Sequence, residues 1–135
     1  MTDFFSSNSM LMLERAAQFQ WTKLGAIEDN VVNGDTPNYK AKYVTFEEAL
    51  RSSIQQAALG PGGAGRSSLG AIRSAISASA PVVHTAELES ARMDDNGVNI
   101  AEQQVELTRT GYQIQHIYRA ISSDMSRLLM AIRGQ

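Results

Sequence analysis

The side chains able to do chemistry in this chain are few and scattered. His84 and His116 are its only histidines, and it has no cysteine. Disulfides and thiolate sites are therefore excluded. Neither histidine belongs to a His-x-x-x-His pair, and no Asp-x-Asp-x-Asp run supplies alternating oxygens, so no metal site is expected. Asp94-Asp95-Asn96-Gly97 has the opening of a calcium loop but lacks the alternating ligands and the closing glutamate, and it reads as a solvated turn. Gly60-Pro61-Gly62-Gly63-Ala64-Gly65 has no Lys-Ser/Thr after it and no strand before it, so it reads as linker and not as a phosphate cradle. No Gly-x-Ser-x-Gly elbow is present. Glu47-Glu48, and Glu87 with Glu89, read as neighbours on a solvated face and not as an acid/base pair. The expectation is no catalytic residue, no cofactor, no small-molecule substrate and no enzymatic activity.

Bulk properties narrow the class further. A length of 135 residues fits one structural domain. Twelve basic residues against fourteen acidic ones give a net charge of -2, with no basic stripe, so nucleic acid is not an expected partner. No window approaches the roughly 18 apolar residues of a membrane span. Met1 to Asn8 has neither a basic start nor an apolar core, so a secretory leader is not expected.

Chemistry being absent, packing must carry the function. From Met10 to Val31 apolar residues fall at Met10, Leu13, Ala17, Leu24, Ile27 and Val31, with Gln20 at the one polar step. That spacing of three and four is one stripe on a helix of roughly 33 Å, with Ser9 as its N-cap and Trp21 flanking the stripe. Asn33-Gly34 breaks the helix, and Thr36-Pro37-Asn38-Tyr39 reads as a tight turn. Proline presets φ at its second position, and asparagine tolerates a positive φ at its third. Tyr39 to Phe46 reads as extended. Thr45 and Glu48 then form a capping box for a helix running to about Ala58.

Ala58 to Pro81 is dominated by Gly, Ala, Ser and Pro and reads as a loose segment, in which Leu69, Ile72 and Ile76 allow one weak helical turn. Val82-Val83 beside Pro81 reads as a short edge strand. A second long helix is expected from Asn99, its N-cap, to Arg133, a rise of roughly 50 Å. Ile100, Leu107, Gly111, Ile114, Tyr118, Ile121, Met125, Leu128 and Ile132 follow the same alternation, interrupted only by Gln104, while Ile117 and Leu129 add a partial second stripe. Sustained for more than three heptads, this is a coiled-coil type of seam. The first helix is too short to cover all of it, so part of the seam is expected to meet another subunit.

The expected fold is mainly α: long N- and C-terminal helices pairing as a coiled coil around a loop-rich, partly extended or disordered middle. The divisions fall at 1–33, 34–98 and 99–135 of one structural domain.

At this point the residues resemble a family. Asn30, Asn33, Thr36, Pro37 and Tyr39 match the Asn-x-x-Asn-x-x-Thr-Pro-Gly-Tyr signature of bacterial flagellar rod and hook proteins. Tyr39-Lys40-Ala41, Phe46 and Ala49-Leu50, and the Met93–Glu102 stretch before the last helix, resemble the proximal member of the basal-body rod. The large insertions of distal rod and hook members are absent. The resemblance covers both ends, about two-thirds of the chain. Asn38 stands where the family has glycine, and Val32 where alanine is usual.

The resemblance implies a structural subunit of the periplasmic rod of the flagellar basal body. Such a subunit passes through the flagellar type III export apparatus, assembles with copies of itself and other rod proteins at the basal-body base, and helps to transmit torque. It implies an assembly turn at Asn30, Asn33, Thr36, Pro37, Asn38 and Tyr39. The apolar stripes supply the expected assembly seam at Leu13, Leu24, Ile27, Val31, Leu107, Ile114, Tyr118, Ile121, Met125, Leu128 and Ile132. The alternatives are another short axial rod protein, or a coiled-coil binding module unrelated to flagella in which the turn only breaks a helix.

Overall fold

A computed structural model describes residues 8–46, 50–51, 55, 66–87 and 93–134. Its elements in chain order are α1 (Asn8–Val32), β1 (Lys42–Thr45), α2 (Arg66–Ala78), β2 (Val82–Thr85) and α3 (Ile100–Arg133). The fold is mainly helical, with long terminal helices and a short two-stranded sheet between them in sequence, as the sequence pattern leads one to expect.

Local chemistry accounts for the ends of α3. Asn99 sits in extended backbone, and its side chain accepts from the Ala101 and Glu102 amides, satisfying donors that have no intrahelical partner. Gly134, at φ 71°, closes the other end by donating its amide to Met130 C=O at 3.0 Å. Helix α1 begins at Asn8, so Ser9 lies inside it and does not cap it.

The two long helices run antiparallel: Lys23 meets Glu106, and Asn30, further along α1, meets Gln103, earlier in α3. With 34 residues against 25, α3 outruns α1. The residue of α3 that is fully buried is Thr110, at 0% exposure. At about 100° per residue, Leu107 and Met125 lie about 60° round the helix from Thr110, and Tyr118 about 80°. The apolar stripe read from the sequence is therefore offset from the contact face. Its members Ile114, Ile121 and Leu128 are half-buried, whereas Leu107, Tyr118, Met125 and Ile132 are exposed.

Helix α1 also borders the apolar core, made of Phe19, Phe46, Leu50 and Ile76 with Leu11, Val44 and Ile72 packed against it. The Phe19 and Phe46 rings stack 5.2 Å apart. Here the structure corrects the reading of a loose middle, because thirteen residues from Arg66 form α2. Tertiary burial overrides weak propensity. Ile76 is 1% exposed, worth about 1.5–3 kcal/mol for a side chain of its size. The Arg15 guanidinium donates to Ser77 C=O at 2.7 Å, placing positive charge at the negative end of the α2 dipole.

Strand β1 pairs antiparallel with β2, Tyr43 opposite His84 and Val44 opposite Val83, and Ala86 N–H to Ala41 C=O extends the ladder. Leu50 donates its amide to Phe46 C=O at 2.9 Å. Leu50, Arg51 and Gln55 of the expected Thr45–Ala58 helix are helical, and its other residues after Phe46, Glu48 of the capping box included, lie outside the described residues. Thr45 itself ends β1, with its hydroxyl 2.7 Å from His84 Nε2.

The α1–α3 contact contains buried polar atoms without hydrogen-bond partners: Gln20 Oε1, Thr110 Oγ1 and Gln113 Oε1. An unpaired buried hydroxyl costs about 1–3 kcal/mol. Thr110→Val, which keeps the shape and removes the hydroxyl, is expected to raise stability by about 1 kcal/mol in urea unfolding. A loss of stability would show that the hydroxyl is satisfied in solution.

Candidate functional site

The segment between α1 and β1 is held by the side chains of two asparagines. Asn30, in the last turns of α1, is 0% exposed. Its Oδ1 accepts from the Lys42 amide at 2.7 Å and its Nδ2 donates to Lys42 C=O at 2.8 Å. The amide group thus pairs with the outer edge of β1 as a neighbouring strand would. The same Nδ2 donates to Gln103 Oε1 of α3 at 3.1 Å, and the Tyr39 hydroxyl approaches Asn30 Oδ1 at 3.4 Å. One side chain therefore touches α1, the turn, β1 and α3.

Asn96, 1% exposed, does the equivalent from the other end of the chain. Its Nδ2 lies 3.0, 2.9 and 2.8 Å from the carbonyl oxygens of Asn33, Gly34 and Thr36. Two N–H bonds serve three acceptors, so at least one is shared. Its Oδ1 accepts from the Val98 amide at 2.7 Å. Main-chain bonds complete the clasp: Asn38 N–H to Asp94 C=O at 2.9 Å and Gly97 N–H to Tyr39 C=O at 2.9 Å.

Inside the turn, Asn33 donates from its main-chain and side-chain nitrogens to Asp29 C=O, a helix-terminal carbonyl. Thr36 donates its amide to Asn33 C=O, and Tyr39 N–H returns to Thr36 C=O at 3.3 Å across Pro37 and Asn38. Asn38 has φ 60°, the left-handed conformation that this position of the turn calls for. Gly34 sits close to α3: an added Cβ would lie 2.9 Å from Ile100 Cδ1, and that side chain would have to give way. The turn is thus pressed directly onto the first residue of α3.

Two ion pairs brace the arrangement. Lys42 Nζ donates to Asp29 Oδ2 at 2.8 Å, and this hydrogen bond raises the lysine's pKa. Lys23 Nζ donates to Glu106 Oε2 at 2.7 Å across the two long helices, holding the Glu106 carboxyl below its ordinary value. On the outer side, Trp21 Nε1 donates to the Tyr118 hydroxyl at 3.1 Å, although both residues are about half exposed.

The structure thus brings together Asn30, Asn33, Thr36, Pro37, Asn38 and Tyr39. Among the seam residues, Ile27 is buried, Leu13, Leu24, Ile114, Ile121 and Leu128 are half-buried, and Val31, Leu107, Tyr118, Met125 and Ile132 are exposed. Sequence reasoning missed Asn96, Lys42 and Gln103. Asn96, expected in a solvated turn, is instead buried; its one signal in the sequence is an asparagine before glycine near a cap. Among the described residues, no group of three or more His, Cys, Asp or Glu side chains could hold a metal ion, and no helix is long and apolar enough to cross a membrane.

No protein-family model matches the chain. The flagellar basal body rod protein FlgB of Aeromonas hydrophila is 26% identical over 111 residues, which span 81% of this chain and 80% of that protein.

Substitution at Asn38 separates backbone conformation from side-chain contact. Asn38→Gly is expected to leave the urea midpoint nearly unchanged, and Asn38→Val to lower stability by about 1–2 kcal/mol, because a β-branched residue resists positive φ. Equal behaviour of the two variants would show that the turn relaxes freely.

Glu106 gives a pH signature. Its folded pKa is depressed by the Lys23 hydrogen bond, so its contribution is present above the ordinary value of 4.5 and is lost as pH falls through the lower folded value. Glu106→Gln is expected to cost about 0.5–1 kcal/mol at neutral pH, the side chain being one-third exposed, and nothing once the wild-type carboxyl is protonated. Denaturation midpoints of both proteins across acidic pH check this.

Proposed function

We propose that this chain is a structural, non-enzymatic subunit of the bacterial flagellar basal-body rod. The observation that carries the reading is the clasped turn. The Asn-x-x-Asn-x-x-Thr-Pro run that resembles the axial proteins is built into the junction of both long helices, and the 26% match to a rod protein runs across most of the chain. A turn that merely broke a helix would have no reason to be held from both ends of the sequence.

In this reading the subunit joins copies of itself and other rod proteins at the basal-body base. It reaches the periplasm through the flagellar type III export apparatus. The turn from Asn30 to Tyr39 fixes the angle between neighbours and supports torque transmission. Association comes from the uncovered flank of α3. Tyr118, Met125, Leu129, Met130 and Ile132 are all about 45–58% exposed, which is a large apolar area for a lone monomer. The coiled-coil pairing of terminal helices, the seam residues and the division at 1–33, 34–98 and 99–135 belong to this proposal.

The direct test is genetic: deletion should abolish flagella, and purified basal bodies should contain the protein. A sharper test uses residues that the monomer leaves exposed. Met125→Asp or Ile132→Asp should leave circular dichroism and cellular level unchanged yet abolish swimming, because a charge in a seam covered on assembly costs several kcal/mol without a partner. Normal motility of both variants, with the protein outside basal bodies, would overturn the reading.

A further inference from the structure

We propose that Asn96 is a self-modification site gated by the fold: it deamidates through the Gly97 nitrogen when the clasp is open, and its product cannot close the clasp again. Independently of the rod reading, this makes folding of the turn an irreversible checkpoint on how long the chain stays open.

The chemistry needs only the chain and water. The Gly97 main-chain nitrogen gives up its proton to solvent and attacks Asn96 Cγ. The new N–C bond closes a five-membered succinimide, the Cγ–Nδ2 bond breaks, and the side-chain nitrogen leaves as ammonia. Water then opens the ring at either carbonyl, giving aspartate or, with the main chain rerouted through Cγ, isoaspartate. Glycine favours the attack because no Cβ shields its nitrogen.

In the folded chain every reacting atom is held. Gly97 N–H is bonded to Tyr39 C=O at 2.9 Å, so the nucleophile is neither free nor easily deprotonated. The leaving nitrogen is pinned by three carbonyl oxygens within 3.0 Å, and Oδ1 is fixed by the Val98 amide. At 1% exposure the amide is shut off from the water needed for hydrolysis. The same contacts make the product incompatible. A carboxylate has no N–H to give, so it would face the carbonyls of Asn33, Gly34 and Thr36 as one acceptor group against three. The isoaspartate form would in addition lengthen the main chain beside the Gly97–Tyr39 bond.

Asn33-Gly34 is the same dipeptide, which supplies an internal reference. The two fall on different tryptic peptides, 24–40 and 93–109. Gly97→Ala shields the nucleophile at little structural cost, since a Cβ there would sit in ordinary contact, 3.5 Å from the Ala41 nitrogen.

The experiment incubates the full chain, native or urea-unfolded, in mildly alkaline buffer. It then dilutes out the urea, separates folded from unfolded protein by size exclusion, and maps the 1 Da mass gain by peptide. Modification of 93–109 should be at least about tenfold slower in the native arm, following the small open population. After refolding, the folded pool should be depleted of modified 93–109, which should collect in the unfolded pool. Gly97→Ala should fold as wild type and slow modification of 93–109 about tenfold in urea, while 24–40 continues to react. Equal rates in the two arms, or a folded pool carrying modified 93–109 in the proportion of the starting mixture, would overturn the proposal. Asn96→Asp, made directly, should fail to fold under conditions where the Gly97→Ala chain folds; a native Asn96→Asp protein would count equally against it.

Discussion

The fold turns on the need to satisfy main-chain groups where α1 ends and β1 begins. A helix leaves its final carbonyls without intrahelical donors, and a two-stranded sheet leaves an outer edge without a partner. Both deficits occur here within about ten residues, in a region packed too closely for water to serve every group. Two asparagine amides meet them. Asn30 gives β1 a one-residue substitute for a neighbouring strand, and Asn96 donates to carbonyls that follow α1. Each amide matches its surroundings with both donor and acceptor engaged, which is why complete burial is affordable for groups this polar.

That arrangement decides where α3 lies. Asn96 and the Asp94 carbonyl fix the loop three to five residues before the Asn99 cap, and Gly34 lets Ile100 press on the turn. Gln103 then meets Asn30 and Glu106 meets Lys23. These bonds set the rotation of α3 about its own axis before its apolar residues have any say. The outcome is a contact face containing Thr110 and Gln113, while much of the apolar stripe faces outward. Bringing Leu107 and Met125 to the position of Thr110 would take a turn of about 60°. A helix held by its polar end in this orientation keeps apolar surface available for something other than its own α1.

How legible this was follows from the range of the interactions. The Asn99 cap, the Asn33-Gly34 break, the positive φ at Asn38 and the extended segments at β1 and β2 each depend on a few adjacent residues, and pattern reading found them. Asn96 acts over about sixty positions of sequence, and Lys42 contributes main-chain atoms, which carry no residue-type signal at all. Helix α2 is hard to read from sequence because its Ser-rich run says little about helix; Ile76 and the Arg15 contact supply what propensity lacks. The offset of α3 escaped for a related reason. Periodicity finds the apolar stripe but cannot say which side a pair of distant hydrogen bonds will present to α1.

The two kinds of interaction therefore divide the labour. Apolar contacts are strong in sum but nearly indifferent to angle, so a seam of Leu, Ile and Met can hold subunits together without fixing their orientation. Hydrogen bonds to a buried amide add little net energy each but are directional, and a small rotation leaves several groups unpaired at once. Placing the directional set at the junction of two long helices fixes their mutual angle inside the chain. The non-directional set is then free to run outward along α3. For a part proposed to turn within a larger shaft, rigidity belongs inside the subunit and adhesion on its surface, and the distribution of polar and apolar groups around Asn30, Asn96 and α3 follows that separation.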